Sequence, residues 1–417
     1  MTEPATRALS PTMLKQVLLK DRILTDKERK NLAILEVIRK SGPISRTDIS
    51  KTTELNIVTV SNYINHYIKK GLVIEGELDE STGGRKPVLV ELNPKAGYIV
   101  GVGLNMLSMV GILVDLEINV LKEMKRERVP ENSEAVIERM VDLAEEIINQ
   151  ADIDKSKIAG VGVGVPGIID ERGRTIRWPQ SLGDKDISIC LSIKDTFEKR
   201  LNIPTIVEND ANAAVLGEKW LGLDREVRHM IYMFSGVGVG ILINGEIYRG
   251  AAGAAGELGV ASPKQSKEEA FKIASQLGRW EMDLGMVREL RARIEKGEKS
   301  VCRDFVSGDL SKIGFKELIR GAKEKDPLAI RVVEEGGATL GRKVAFLANL
   351  LNPEIVVIGG GVEDCGAPFL EALKNTVKEW SVEEAANRVS IIPSAFGENA
   401  VALGAVGIVA REIFAQV

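Results

Sequence analysis

At 417 residues, 44% of them apolar and with a formal net charge of −4, the chain exceeds ordinary single-domain length and is expected to fold as two or three compact units. Its three cysteines, Cys190, Cys302 and Cys365, stand far apart with no CxxC pair, which argues against a disulfide framework or a zinc finger and suits a reducing cytoplasm. The opening MTEPATRALS has no basic patch followed by an apolar stretch, and no run of about 18 apolar residues occurs, so neither secretion nor membrane insertion is expected.

Charge is unevenly shared along the chain. Residues 1–95 hold 16 Lys and Arg against 12 Asp and Glu, a balance of +4, which leaves −8 for the remainder. Nucleic-acid binding needs a local excess of this kind, although this one is modest. Residues 1–28, with Leu14, Val17, Leu18 and Leu19, read either as an amphipathic helix or as a frayed leader. Over 29–40 the residues Leu32, Ile34, Leu35 and Ile38 repeat at helical spacing, and Ser41-Gly42-Pro43 supplies a stop. Ser45-Arg46-Thr47-Asp48 fits a capping box that opens a second helix running to about Thr53. Asn56 can cap a third, with Ile57, Val60, Ile64, Tyr67 and Ile68 as its buried stripe, Lys69-Lys70 at its negative end and Gly71 as terminator. That leaves Val58, Thr59, Ser61, Asn62 and Asn65 exposed near the start of the third helix, the form needed to enter a major groove. A packing or dimerisation helix would look similar. The segments 72–75 and 88–92 then read as two strands joined by a tip containing Gly83-Gly84-Arg85-Lys86-Pro87. Such a wing would let Arg85 enter a minor groove while Lys86 meets phosphate; a solvated basic loop is the plainer alternative.

Beyond residue 95 the pattern changes to strand pairs, helices and glycine turns. The segments 98–104 and 109–114 are β-rich, 133–150 reads as a helix, and Ile158 to Gly167 is a buried strand ending in a Gly/Pro turn where backbone can approach a ligand. The polar cluster Glu208-Asn209-Asp210-Ala211-Asn212 follows at a helix start. After it come the glycine-rich hairpin Ser235 to Gly240 and Gly256-Glu257-Leu258-Gly259. The pattern occurs twice. One glycine-rich strand is weak evidence of a site, and Asn and Asp at a helix start are ordinary caps.

The ordered set is more specific, and with it the chain resembles the ROK family of repressors, open reading frames and kinases along essentially its whole length. The best match is Glu208-Asn209-Asp210-Ala211-Asn212-Ala213-Ala214. The resemblance implies an α/β protein. Residues 1–95 would form an N-terminal winged helix-turn-helix, and 96–417 an actin-like, ribonuclease-H-like, two-lobed sugar-kinase fold, with lobes of roughly 96–210 plus the C-terminal helix and 211–395. It further implies that Asn209, Asp210, Glu257 and Glu281 hold sugar hydroxyls in the cleft, Asp210 standing where the kinases keep their base. A carboxylate there can take a hydroxyl proton as that oxygen attacks a γ-phosphate.

The departures from the family pattern point away from catalysis. Where the kinases carry an acidic, hydroxyl-bearing phosphate loop, this chain reads Gly101-Val102-Gly103-Leu104-Asn105-Met106, and Phe234 replaces a glycine of the second loop. The family's zinc ligands align with Val260, Lys272, Ala274 and Arg279, none of which suits zinc, while Gly278, Trp280 and Glu281 still fit. The segment 351–361 resembles the strand and turn that contact adenosine, and also reads as a buried strand. The resulting expectation is a cytoplasmic DNA-binding regulator of carbohydrate-utilisation genes with no catalytic residue, no zinc and no ATP. Its partners would be double-stranded operator DNA, a small carbohydrate effector and further copies of itself, as a homodimer or homotetramer. The alternative is an ATP-dependent, glucokinase-like sugar kinase with a DNA-binding head.

Overall fold

A computed structural model describes residues 24–78, 88–105, 108–127, 133–170, 175–177, 192–223, 226–234, 238–258 and 284–417. Its first helix, α1 (Asp26–Ser41), starts three residues earlier than the apolar spacing predicts. The cause is a capping box the apolar pattern does not reveal, in which the Thr25 hydroxyl accepts from Glu28 N and the Glu28 carboxylate accepts from Thr25 N. After the two-residue strand β1 (Ile44–Ser45) come α2 (Arg46–Thr53) and α3 (Ile57–Lys69). Ser45 caps α2 at Asp48 N as expected, but the Asp48 carboxylate accepts from the Ser45 hydroxyl (2.7 Å). In α3, Val60, Ile64 and Tyr67 are buried as predicted, whereas Ile57 is 42% exposed and Ile68 half-buried, because the buried face begins one turn into the helix. Gly71 closes it at φ +72°. Strands β2 (Val73–Leu78) and β3 (Val88–Leu92) pair antiparallel, and β1 adds to the far side of β3.

The remaining described elements form two sheets with one topology. In the first, β4 (Tyr98–Leu104), β5 (Ser108–Asp115) and β6 (Val120–Glu127) make an antiparallel meander. The helix α4 (Ser133–Gln150) then leads to β7 (Ile158–Val165), parallel to β4, and α5 (Ile193–Leu201) leads to β10 (Thr205–Asn209), parallel to β7; the short β8 (Ile168–Ile169) and β9 (Thr175–Arg177) pair apart from the sheet. The order β10-β7-β4-β5-β6 recurs, after the helix α6 (Asp210–Gly217), as β15-β14-β11-β12-β13. This second sheet comprises β11 (Met230–Phe234), β12 (Gly238–Ile243), β13 (Glu246–Ile247), β14 (Ile355–Gly359) and β15 (Ser390–Pro393). Helices α7 (Met286–Glu295), α8 (Phe315–Lys323), α9 (Pro327–Leu351) and α10 (Ala367–Trp380) accompany it, and α11 (Ala400–Gln416) closes the chain.

The glycines within β4 and β7 serve packing. A Cβ on Gly162 would lie 2.2 Å from Ala405 O, one on Gly101 2.4 Å from Ala402 O, and one on Gly164 2.3 Å from the Val401 side chain. The backbone of α11 therefore rests directly on β4 and β7. Helix α11 also meets α1, so that Ile34, Leu35 and Ile38 share one core with Val406, Val409, Ile413 and Phe414. Among the described residues no helix is long and apolar enough to cross a membrane.

Candidate functional site

The polar cluster sits where the first sheet hands over to the second. Parallel pairing sets Asn209 beside Val165, so the end of β10 lies against the Pro166-Gly167 turn, and Gly167 takes φ +99° to make it. Asn209 caps α6, its Oδ1 accepting from Asn212 N at 3.1 Å, and its Nδ2 donates to Gly167 O at 3.1 Å. The same amide approaches Glu257 Oε1 at 3.5 Å. Asp210 is buried and accepts from Ala211 N at 2.8 Å. Glu257 reaches this place because Gly256, at φ +87°, lets its loop lie on β12, where a Cβ would fall 1.9 Å from Val239 O and where Val239 N donates to Gly256 O at 3.0 Å. Asn209, Asp210 and Glu257 are thus gathered at one junction. Glu281 lies outside the described residues, as do Val260, Lys272, Ala274, Gly278, Arg279 and Trp280.

The Gly167 carbonyl belongs to the Gly/Pro turn that the sequence marks as a place of close backbone approach. One contributor escaped the sequence reading, Arg249, whose guanidinium grips Glu208 with Nη1 to Oε1 at 2.8 Å and Nη2 to Oε2 at 2.6 Å. Glu208, 3% exposed, also accepts from Asn209 N at 2.7 Å. This two-pronged pair joins the last strand of the first sheet to the loop after β13, and removing one partner of such a buried pair costs on the order of 3–5 kcal/mol. A lone Arg 41 positions downstream of a Glu carries no motif, so only the fold discloses the pair.

The flanks of the turn between β4 and β5, aligned with the phosphate loop of the kinases, are tied together by the side chains of Asn105 and Ser108. Asn105 Oδ1 accepts from Ser108 N at 2.8 Å, and its Nδ2 donates to Glu398 O at 3.0 Å and to Ser108 Oγ at 3.1 Å. Ser108 supplies the hydroxyl that the six residues before it lack, but it donates to Glu398 Oε2 at 3.1 Å. An uncharged amide committed in this way does not fit a metal-bound phosphate. Phe234 is 3% exposed and packs beside Tyr232, with ring centroids 6.3 Å apart, in the core formed with Ala211 and Val401. Its ring thus belongs to the interior. Among the described residues no group of three or more His, Cys, Asp or Glu could hold a metal ion.

On the head, Val58 is 64% exposed and Asn62 and Asn65 are exposed, whereas Thr59 and Ser61 are half-buried. Asn65 Oδ1 accepts from Arg46 Nη1 at 3.0 Å, and the same guanidinium pairs with Glu75 at 3.0 Å, which fixes α3 relative to α2 and β2. Arg85 and Lys86 lie outside the described residues.

The ROK family profile matches residues 99–412. This chain belongs to the ROK family. It is 31% identical over 392 residues to the xylose repressor of Caldicellulosiruptor bescii, covering 93% of this chain and 96% of that protein. The crystal structure of a ROK family transcriptional regulator, a homologue of the E. coli Mlc protein, superposes with a TM-score of 0.73 at 23% identity, over 94% of this chain and 97% of the other. A ROK family glucokinase from Streptomyces griseus superposes with a TM-score of 0.62 at 24% identity, over 75% of this chain and 99% of its own. The ROK fold, with its sugar-kinase relatives, therefore accounts for both sheets, and a full-length match to a repressor extends through the head.

Proposed function

We infer that this ROK protein is a sugar-responsive transcriptional repressor, in which 1–95 is a winged helix-turn-helix reading double-stranded operator DNA and 96–417 is a kinase-like sensor that takes a small carbohydrate between its lobes. The observation that carries the reading is the contrast between two turns. One, at Asn209, Asp210, Glu257 and Gly167, gathers an amide, two carboxylates and a carbonyl suited to sugar hydroxyls; the other carries the uncharged Asn105 where the kinases keep an acidic residue, and its nearby Ser108 hydroxyl is spent on Glu398. Glu281 would complete the sugar shell. Val58, Thr59, Ser61, Asn62 and Asn65 would face bases, with Arg85 and Lys86 at the wing. Paired half-sites require paired heads, hence a homodimer or homotetramer. The sugar shifts operator affinity only as far as it binds the two states unequally, and the similarity to a xylose repressor makes D-xylose the first sugar to try.

Fluorescence anisotropy with a labelled duplex from the promoter of the protein's own gene, with and without a monosaccharide panel led by D-xylose, tests this. A change in operator affinity of about tenfold or more with one sugar is expected. Operator affinity indifferent to every sugar would refute it. A second reading, a working sugar kinase with a DNA-binding head, is favoured by Asp210 at the family's base position; sugar-dependent release of ADP from MgATP would establish it.

A further inference from the structure

The sugar site and the head are joined by one rigid element. Helix α6 continues without a break into a π-turn, Glu218–Gly222, so a single rod leads from Asp210 at the site to Trp220 near its far end, a span of roughly 15 Å. π-Turns inside helices are frequent at functional positions. The rod is held by backbone on two sides. A Cβ on Gly240 of β12 would lie 2.2 Å from Ala211 O, and one on Gly404 of α11 would lie 1.9 Å from Ala213 O. Contacts of this kind contain no long side chain that could bend to absorb a shift, so a displacement at the Asp210 end is passed on.

At the far end Trp220 packs on Gly407 and sets its ring edge-on to Phe414, with centroids 6.1 Å apart. Its open face carries the Arg39 guanidinium, 4.6 Å from the ring centre, while Arg39 Nη2 donates to Trp220 O at 3.0 Å. Arg39 belongs to α1 of the head. Its Nε is buried with no hydrogen-bond partner, and burial lowers its pKa. A buried N–H left without a partner is destabilising, so this arginine is poorly explained by stability alone.

From α1 the connection reaches the operator-reading helix. Asn31, 1% exposed, donates to Ala415 O at 3.0 Å and accepts from the Tyr67 hydroxyl of α3 at 2.8 Å. The end of α3 is tied down as well, with Lys70 Nζ donating to Val417 O at 3.0 Å and His66 Nε2 at 3.2 Å from the same oxygen. The head therefore has no independent perch; α1 is clamped between α3 and the sensor.

We propose that Arg39 and Trp220 are positioning residues that transmit the state of the sugar cleft, through α6 and α1, to the angle at which α3 is presented to DNA. This rests on the repressor reading above. The test uses the full chain, a duplex enriched from random sequence by the wild-type protein, and a panel of D-xylose, D-glucose and N-acetyl-D-glucosamine. For Trp220→Leu and Arg39→Gln, sugar affinity and sugar-free operator affinity should each stay within about threefold of wild type, while the sugar-induced change in operator affinity collapses from about tenfold or more to below threefold. Trp220→Phe, which keeps an aromatic face for the guanidinium, should retain most of the response. Variants that respond like wild type overturn the relay and leave the repressor reading intact. A wild-type chain that binds the duplex but ignores all three sugars removes the reading and the relay together. Should the variants melt or lose DNA binding outright, hydrogen exchange on the wild-type chain decides: the sugar should alter protection in 26–41 and 57–69, and unchanged protection there overturns the proposal.

Discussion

Glu363, in the turn after β14, illustrates how one side chain can carry a pH dependence. Its Oε2 accepts from Gly361 N at 2.8 Å, its Oε1 is buried without a partner, and burial pushes the carboxyl up from the ordinary 4.5 to about 7. The folded chain thus holds this proton more tightly than the unfolded chain does. Its contribution to stability is complete below about pH 4.5 and is lost as the pH rises through about 7. Glu363→Gln should therefore melt close to wild type at pH 4.5 and higher than wild type at pH 8, by on the order of 1–3 kcal/mol. Melting curves at the two pH values check this, and equal shifts at both would contradict it.

At the scale of elements, the decisive contacts are backbone on backbone. Helix α6 is wedged between β12 and α11 through Ala211, Ala213, Gly240 and Gly404, with Gly217 crossing 2.9 Å from Gly404 in Cβ terms. Gly404→Ala would place a methyl group 1.9 Å from Ala213 O, which no rotamer relieves. Loss of stability by roughly 3 kcal/mol or more is expected, because overpacking against main chain cannot relax as it does against a flexible side chain. Chemical denaturation of the variant measures it, and a value within about 0.5 kcal/mol of wild type would show that α6 and α11 slide freely.

For the molecule as a whole, the proposed function calls for two ligands held by different forces. Operator DNA is an electrolyte that would meet a head with a positive balance, whereas a neutral sugar would be held by hydrogen bonds at the proposed site. Raising salt from about 50 to about 200 mM should weaken operator binding by roughly a thousandfold if six or more phosphates are contacted, through counterion release. Sugar affinity should change by less than about twofold over the same range. Titrations of each ligand at both salt levels separate the two, and a sugar affinity that tracks salt would count against the neutral-hydroxyl site.

Local patterns were sufficient for much of this protein. The caps at Ser45 and Asn56, the buried spacing of Val60, Ile64 and Tyr67, the helix over 133–150 and the duplicated strand pattern all follow from short-range rules, since a cap or a period is complete within a few residues. The run from Glu208 to Ala214 likewise carried the family resemblance by its order alone. What the tertiary structure decided involves partners far apart in the chain: Arg249 on Glu208, Asn105 on Glu398, the α11 backbone on Gly162, and Arg39 on Trp220. None of these has a period or a spacing to betray it. Each exists because two sheets of one topology are packed around α6 and α11, and that packing is a property of the whole fold.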